Sequence, residues 1–318
     1  METNLTSINQ YSQLKLIAGS GKHLIYDCNL SGQNILDHWL LTDGISLSFL
    51  NFNTEDSLTL PSLNPDAIVI MYCHKGRLEC EFNHTKISYL SENQFLVMRS
   101  SRLANKLAFP LKSFDGFALI IDFPNINEHT FEIFKKFNID LKVINDNLDL
   151  KNACYLESLS NATPIKEAFE AIYKRHNSDD LEYFKIKALE LLYCINQLTR
   201  NETNDLKYYD KDNVRIVKDI CAILIEHMSE KLSLVTLAKE KGMNLSLFHK
   251  VFLEVYDETP YAYVKRYKMN VAADILRTSK RKINEIAQDL GYNNASKFSI
   301  AFESVHGILP KDYRKNYN

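Results

Sequence analysis

Two short stretches in the last third of the chain carry side chains that could bind a polyanion. The first follows Gly242 and places polar residues opposite Phe248 and Phe252, which are four residues apart. Its polar residues are Asn244, Ser246, His249 and Lys250. Amide, hydroxyl, imidazole and ammonium groups are the donors and acceptors that contact base edges and phosphates. These four residues are therefore our candidates for contact with duplex DNA.

The second stretch follows Gly291 and repeats the pattern around Phe298 and Phe302. Its polar candidates for DNA contact are Asn294, Ser296, Lys297 and Ser299. The same outward side also carries Ile300 and Glu303, an apolar residue and an anion. An anion weakens attraction to phosphates. We therefore expect base specificity to depend mainly on the first stretch. The second would position the protein through its serines and Lys297, or contact a thymine methyl group through Ile300.

The two stretches belong to an internal repeat. Ala238-x-x-x-Gly242 recurs as Ala287-x-x-x-Gly291, and each copy continues with an apolar residue, a capping asparagine and a helix with paired phenylalanines. Two helices that cross at a tight turn need a small residue at the crossing and a glycine where the backbone takes a positive φ. The pattern predicts two helix-turn-helix units. One copy alone would be weak support, but two tandem copies on one linking helix are strong.

The stretch from Leu232 to Arg314 resembles the DNA-binding domain of the AraC/XylS family of transcriptional regulators. The most specific residues are Ile283-Asn284-Glu285-Ile286-Ala287, Gly291-Tyr292, Ser296-Lys297-Phe298-Ser299, Ala301-Phe302, Gly307-x-x-Pro310 and Tyr313-Arg314. The resemblance implies that the second helix of each unit enters a major groove and that the linking helix holds both units on one face of the duplex. The chain departs from the family at Ile300, where Arg is common, and at Glu303, where a basic residue is common.

The helices that position these residues are punctuated by caps and stops. We predict a helix over Val214–Met228, then LVTLAKEK capped by Ser233, and LSLFHKVFLEVY capped by Asn244. Thr259-Pro260 starts a long helix that reaches about Arg277. INEIAQDL and a helix over Asn294–His306 follow, with Gly307 and Pro310 as its end.

The region from Ile45 to Phe123 indicates a small barrel or sandwich, because short β-branched and aromatic segments alternate with turns such as HKG. Our fold prediction for it is a small, cupin-like β-barrel. Trp39 and Tyr72 are the candidate effector contacts. Amphipathic stretches at Pro164–His176 and Leu181–Leu198 predict helices that pack on the barrel or form a dimer. The family resemblance implies the same general plan. The fold class is thus α+β: residues 1–200 sense an effector or dimerise, 200–213 form a linker, and 214–318 bind DNA.

Charge is distributed unevenly along the 318 residues. From Asn213 onward there are 17 Lys and Arg against 12 Asp and Glu, whereas the whole chain has 38 against 40. A basic end beside an acidic remainder suggests that one end faces a polyanion. The composition, 45% hydrophobic and 25% charged, is that of a folded protein.

Other classes of site receive little support. Six scattered cysteines lack C-x-x-C spacing, which indicates free thiols in a reducing cytoplasm. METNLTSINQYSQLKL shows no signal-peptide pattern, and no apolar run is long enough to span a bilayer. His74, Glu79, Glu81 and His84 lack the His-x-His spacing of a cupin metal site, and we place the two histidines at exposed turns. We expect no metal, no cofactor and no enzymatic motif.

Three hypotheses follow. The first is a DNA-binding transcription regulator whose activity is set by a small-molecule effector or by dimerisation, with duplex DNA, a second copy and RNA polymerase as partners. The second is a cupin-type metalloenzyme with a DNA-binding appendage. The third is a regulator controlled by a protein partner without a small ligand.

Overall fold

A computed structural model describes residues 14–59, 63–159 and 163–317. Most of the N-terminal stretch that lacks a signal-peptide pattern lies outside these residues. The chain divides into two compact units, Met1–Tyr208 and Tyr209–Asn318. Across the described part of the chain, none of the helices combines the length and apolar character needed to cross a bilayer.

The first unit is an antiparallel half-barrel with four helices. Its strands are β1 (Lys15–Ser20), β2 (His23–Asp27), β3 (Gln33–Thr42), β4 (Ile45–Asn53), β5 (Ser57–Thr59), β6 (Ile68–Phe82), β7 (Lys86–Ser91), β8 (Gln94–Arg99), β9 (Lys106–Ala108), β10 (Phe114–Ile121) and β11 (Tyr155–Ser158). Its helices are α1 (Glu128–Lys136), α2 (Leu141–Asn147), α3 (Pro164–Lys174) and α4 (Leu181–Asn196). The β structure therefore begins about thirty residues before the predicted start at Ile45.

The strands run in the order β1-β2-β3-β4-β10-β6, and β6 continues into two different pairings. Its first half pairs with β10 and β8, and its second half pairs with β7 and β9. The predicted turn at HKG is wrong, because this tripeptide lies inside one 15-residue strand. Gly76 has φ +86° there, and a Cβ would lie 2.2 Å from the carbonyl oxygen of Ser113. The glycine thus bends a strand where the sequence indicated a hairpin.

Two apolar cores lie on opposite faces of this sheet. The helices α1 to α4 cover one face, where Phe169 and Phe184 are buried among residues of β3, β4, β6 and β10. The other face is filled by side chains such as Leu78, Met98 and Phe114. The face opposite the helices is therefore filled by the protein's own side chains, as in the smaller barrels.

The stretch predicted as a linker, residues 200–213, is largely held on the first unit. Arg200 Nη1 and Nη2 donate to the carbonyl oxygens of Leu148 and Cys154 at 2.6 and 2.9 Å. The hydroxyl of Ser88 donates to the carbonyl oxygen of Lys207 at 2.8 Å. These contacts fix residues that the polar sequence alone suggested to be unattached.

The second unit is helical apart from a two-residue strand, β12 (Tyr209–Asp210). Its helices are α5 (Lys211–Glu226), α6 (Leu234–Glu240), α7 (Leu245–Tyr256), α8 (Pro260–Thr278), α9 (Ile283–Asp289), α10 (Ala295–His306) and α11 (Pro310–Tyr317). The central helix α8 contacts α5, α7, α9, α10 and α11. Helix α11 was not predicted, because Pro310 was interpreted as a stop, whereas here it occupies the first position of a helix, where its missing N–H costs nothing.

Candidate nucleic-acid interface

The first tight turn joins α6 to α7. Ala238 is buried where the two helices meet, and Gly242 leaves α6 with φ +73°. The N–H of Met243 then donates to the carbonyl oxygen of Ala238 at 2.9 Å, and its side chain is buried in the corner. A hypothetical Cβ at Gly242 would meet no atom within 4 Å, so the conformation alone favours glycine here.

The second turn joins α9 to α10 with the same hydrogen bond. The N–H of Tyr292 donates to the carbonyl oxygen of Ala287 at 2.9 Å, and Gly291 has φ +80°. A Cβ on Gly291 would lie 2.5 Å from the carbonyl oxygen of Ser229. The loop after α5 therefore packs directly on this turn, so both conformation and space require glycine.

Helix α7 buries one side and exposes the other. Phe248 and Phe252 are fully buried, whereas Ser246, His249 and Lys250 are exposed. Leu253 is also 48% exposed, and it follows Lys250 by three residues and Ser246 by seven, so the three share one helical face. Leu253 is not among the residues predicted from the sequence, although this spacing identifies it.

Asn244 and Asn294 have a structural task. The side-chain oxygen of Asn244 accepts from the N–H of Leu247 at 2.8 Å, and that of Asn294 accepts from the N–H of Ser296 at 2.7 Å. Both residues are N-caps of their helices and both are exposed. Their oxygens stabilise the helix ends, which leaves the side-chain NH₂ groups as donors for an external partner.

Helix α10 repeats this arrangement with different surface chemistry. Phe298 and Phe302 are fully buried, and Ser296 and Lys297 are exposed as predicted for surface residues. Ser299 is half-buried, which places it on the flank of the helix. The centre of the exposed face carries three residues at i, i+4 and i+7, which are Ser296, Ile300 and Glu303. Ile300 is 66% exposed.

Some cations of this unit are already occupied. Arg266 binds Glu258 at 2.6 Å, and Arg281 binds Asp289. The ammonium of Lys268 lies 5.6 Å from the ring centre of Tyr292, and burial lowers the pKa of this lysine and raises that of the tyrosine. Within the described residues Lys250 and Lys297 form no ion pair, so their charges face solvent.

The two candidate effector contacts lie in the first unit. Trp39 and Tyr72 are buried on the helix-covered face of the sheet. The ring of Tyr72 lies 4.9 Å from that of Phe169 in α3, and the ring of Trp39 lies 5.2 Å from that of Phe184 in α4. They face the helices and not the opposite side of the sheet.

The four residues considered for a metal site do not form one cluster. His74 lies inside β6 and stacks on Tyr173 at 3.9 Å between ring centres, which corrects its predicted place at a turn. His84 is exposed at a turn, as predicted. Over residues 14–59, 63–159 and 163–317, no group of three or more His, Cys, Asp or Glu could hold a metal ion.

Comparisons with known proteins concern mainly the second unit. Residues 237–316 match the family described as a helix-turn-helix domain. The regulatory protein SoxS of Escherichia coli (strain K12) is 33% identical over 100 residues, which are 31% of this chain and 94% of SoxS. The HTH-type transcriptional regulator AlkR of Acinetobacter baylyi is 35% identical over 80 residues, 25% of this chain and 26% of AlkR.

Among solved structures, the C-terminal domain of AraT, a response regulator from Geobacillus stearothermophilus, is 24% identical with a TM-score of 0.30 and covers 32% of this chain and 84% of that one. The match to SoxS spans nearly all of that regulator, and the family match over residues 237–316 includes both tight turns described above. The chain therefore belongs, through its second unit, to the AraC/XylS family of helix-turn-helix DNA-binding transcription regulators.

Proposed function

We propose that α7 and α10 are two recognition helices that enter successive major grooves on one side of a DNA duplex. The observation that carries this proposal is the repeat itself: both helices bury paired phenylalanines and expose their opposite faces, and both pack on the single helix α8.

Helix α8 holds both candidate helices. Tyr263, near its start, packs against Phe252 of α7 with 5.8 Å between ring centres, and the carbonyl oxygen of Met269, its middle residue, accepts a hydrogen bond from His306 Nε2 of α10 at 3.1 Å. Successive major grooves are about 34 Å apart. We propose that this shared helix presents α7 and α10 to two such grooves, with bending of the site making up the mismatch between a rigid helix and straight DNA.

We assign base contacts mainly to the first helix. Lys250 can donate to a guanine edge or to a phosphate, and His249 can donate or accept at a base edge. Ser246 adds a hydroxyl on the same face. On α10, Lys297 and Ser296 are exposed, and Ser299 lies at the flank, where phosphate contact suits it better than base contact.

Selection of duplexes from a random library with the full chain, followed by footprinting, tests this proposal. We expect two protected blocks separated by about one helical turn, about 10 base pairs. Alanine at His249 and Lys250 should abolish the footprint, whereas Lys135→Ala, an exposed lysine of α1, is the matched control. A duplex affinity that is insensitive to salt contradicts the proposal. So does an outcome in which alanine at Ser296 and Ser299 abolishes binding while alanine at His249 and Lys250 does not.

We further propose that the first unit sets this activity through a small effector. The hydroxyl of Tyr72 and Nδ1 of His74 are buried without a hydrogen-bond partner within the described part of the chain. Buried polar atoms are costly when unpaired, so a small polar ligand between the sheet and α3 would be stabilised there. A metabolite panel should contain a compound that raises the melting temperature of the wild type but not of Tyr72→Phe. If every stabilising compound acts equally on both proteins, this location is wrong.

A second copy of the chain is the partner we propose for α4. Ile186 is 64% and Tyr193 is 49% exposed, and their seven-residue spacing puts them on one face. Sedimentation of the wild type and of Ile186→Glu tests this: a dimer should become a monomer. RNA polymerase is a further partner that we propose for this regulator.

A further inference from the structure

The centre of the exposed face of α10 has no cation. Ser296, Ile300 and Glu303 form it, whereas the cations lie to one side. We propose that α10 recognises pyrimidines, with Ile300 against the methyl group of thymine and Glu303 accepting a hydrogen bond from the N4 amino group of cytosine. This inference rests on the proposed entry of α10 into a major groove, and it assigns base readout to the helix that would otherwise only position the protein.

Ile300 is the more exposed of the large apolar residues on the two candidate recognition helices, 66% against 48% for Leu253. Burying such a side chain releases water from apolar surface. In the major groove the apolar feature of a base pair is the thymine methyl group. Ser296 lies one turn before Ile300, and its small side chain allows the helix to approach the bases closely enough for this contact.

Glu303 follows Ile300 by three residues and is exposed. No ion pair involves it within the described residues, so its charge is not neutralised by the protein. An ionised carboxylate only accepts hydrogen bonds. Adenine offers an amino group beside the N7 acceptor, and guanine offers only acceptors, whereas cytosine presents its amino donor alone. Glu303 is therefore matched best by cytosine.

The attraction for phosphates comes from one flank of the helix. Lys297 precedes Ser304 by seven residues, so the two share that flank. The ammonium of Lys265 in α8 donates to the hydroxyl of Ser304 at 3.4 Å. Two ammonium groups thus lie beside the face that carries Ile300 and Glu303, and they can hold the backbone while that face meets the bases.

Thymine methyl groups can be removed one at a time from the selected duplex by deoxyuridine. In the block assigned to α10, at least one such replacement should weaken wild-type binding about three- to tenfold, in keeping with the transfer energy of one buried methyl group. Ile300→Ala should bind the thymine and deoxyuridine duplexes equally. Val235→Ala, which alters an exposed aliphatic side chain of α6, should keep the wild-type difference. A penalty that persists in Ile300→Ala, or its absence throughout the block, overturns the assignment.

Glu303→Gln tests the second contact by base preference. We expect the preference for cytosine at one position to fall from about tenfold to below about threefold, because an amide can also donate and so tolerates other bases. Asp219→Asn, which removes an exposed acid of α5, should leave the preference unchanged. If Glu303→Gln instead strengthens binding to every sequence equally, the carboxylate acts only by repelling phosphates and this contact is wrong.

The two levels of proposal fail differently. If the wild type selects no duplex sequence, the two-groove proposal itself fails. If it selects one block that depends on Lys250 and nothing beside it, binding through α7 stands and pyrimidine recognition by α10 is overturned.

Discussion

The pair α6–α7 and the pair α9–α10 share an internal framework and differ where they face solvent. Equivalent buried residues occupy equivalent places, as Phe248 and Phe298 do, and both turns close with the same hydrogen bond. At the exposed positions the two helices carry different types of side chain. Lys250 corresponds to Ile300, and Leu253 corresponds to Glu303, at a constant shift of 50 residues. Packing thus constrains the residue types on the buried side of each helix, whereas the residue types on the exposed side are free to differ.

The turns themselves also differ. Gly242 is open on the side where a Cβ would stand, whereas Gly291 is covered by the backbone of Ser229. The turn at Gly291 therefore packs on the loop after α5, whereas the turn at Gly242 leaves room for a Cβ. This asymmetry gives the largest effect that we expect from a single substitution.

Gly291→Ala should lower the free energy of unfolding of the second unit by about 3 kcal/mol or more, because a positive φ costs an alanine about 1 kcal/mol and the Cβ must displace a backbone carbonyl. Gly242→Ala should cost about 1 kcal/mol, from the positive φ alone. Urea unfolding followed by helical circular dichroism, with hydrogen exchange in α9 and α10, measures both. Equal losses in the two variants would show that the contact with Ser229 yields without cost.

The difference between Lys250 on α7 and Ile300 on α10 should appear in how strongly salt weakens the binding of a duplex. Lys250→Ala removes one cation from α7, so duplex affinity should fall about tenfold and the slope of log affinity against log salt should decrease in magnitude by about 0.9 if the ammonium contacts a phosphate. Ile300→Ala should leave that slope unchanged, because no charge is lost. Titrations of one selected duplex at several salt concentrations make the comparison. A slope that changes equally in both variants would mean that the two helices do not differ as described.

The internal framework was accessible from sequence because its signals are local. Ala-x-x-x-Gly, a capping asparagine and paired phenylalanines set both helix pairs within a few residues, and the structure places Ser246, Ser296, His249 and Lys250 at the surface. The half-buried position of Ser299 could not be predicted from the sequence, because it depends on how far α10 is rotated towards α8 and α9.

The first unit was harder to predict for physical reasons. The residues of β1 are exposed throughout, so its sequence lacks the alternation that marks a half-buried strand. In β6, the tripeptide HKG has turn composition, yet both halves of the strand pair with neighbouring strands, so the chain bends at Gly76 and continues as one strand. Trp39 and Tyr72 are strand residues whose face is decided by the later helices α3 and α4. These features depend on contacts between residues far apart in the sequence, so no local sequence pattern predicts them.

Removing either helix cap should lower the free energy of unfolding by less than Gly291→Ala does, and by about the same amount in both helix pairs. Asn244→Ala and Asn294→Ala should each lower the free energy of unfolding by about 1 kcal/mol, because each removes the acceptor of one helix-end N–H. Replacement by serine or aspartate should recover most of the loss, since both are good caps. If Asn244→Ala lowers duplex affinity while the serine variant restores stability but not binding, the amide also contacts DNA. Recovery of both by serine would assign the residue to capping alone.

The corner residues should show the smallest difference between the pairs. Met243 fills its corner through burial alone, whereas Tyr292 packs edge-on to Phe298 at 5.7 Å and beneath the ammonium of Lys268. Tyr292→Leu should cost about 1 kcal/mol of unfolding free energy, from the lost ring pair and cation–π contact. Tyr292→Phe keeps both contacts and should change stability by less than about 0.5 kcal/mol. Chemical denaturation of these two variants beside Met243→Leu, whose side chain has similar volume, decides the matter. If Tyr292→Phe costs as much as Tyr292→Leu, the hydroxyl and not the ring supports the second corner, and the two corners differ more than their packing indicates.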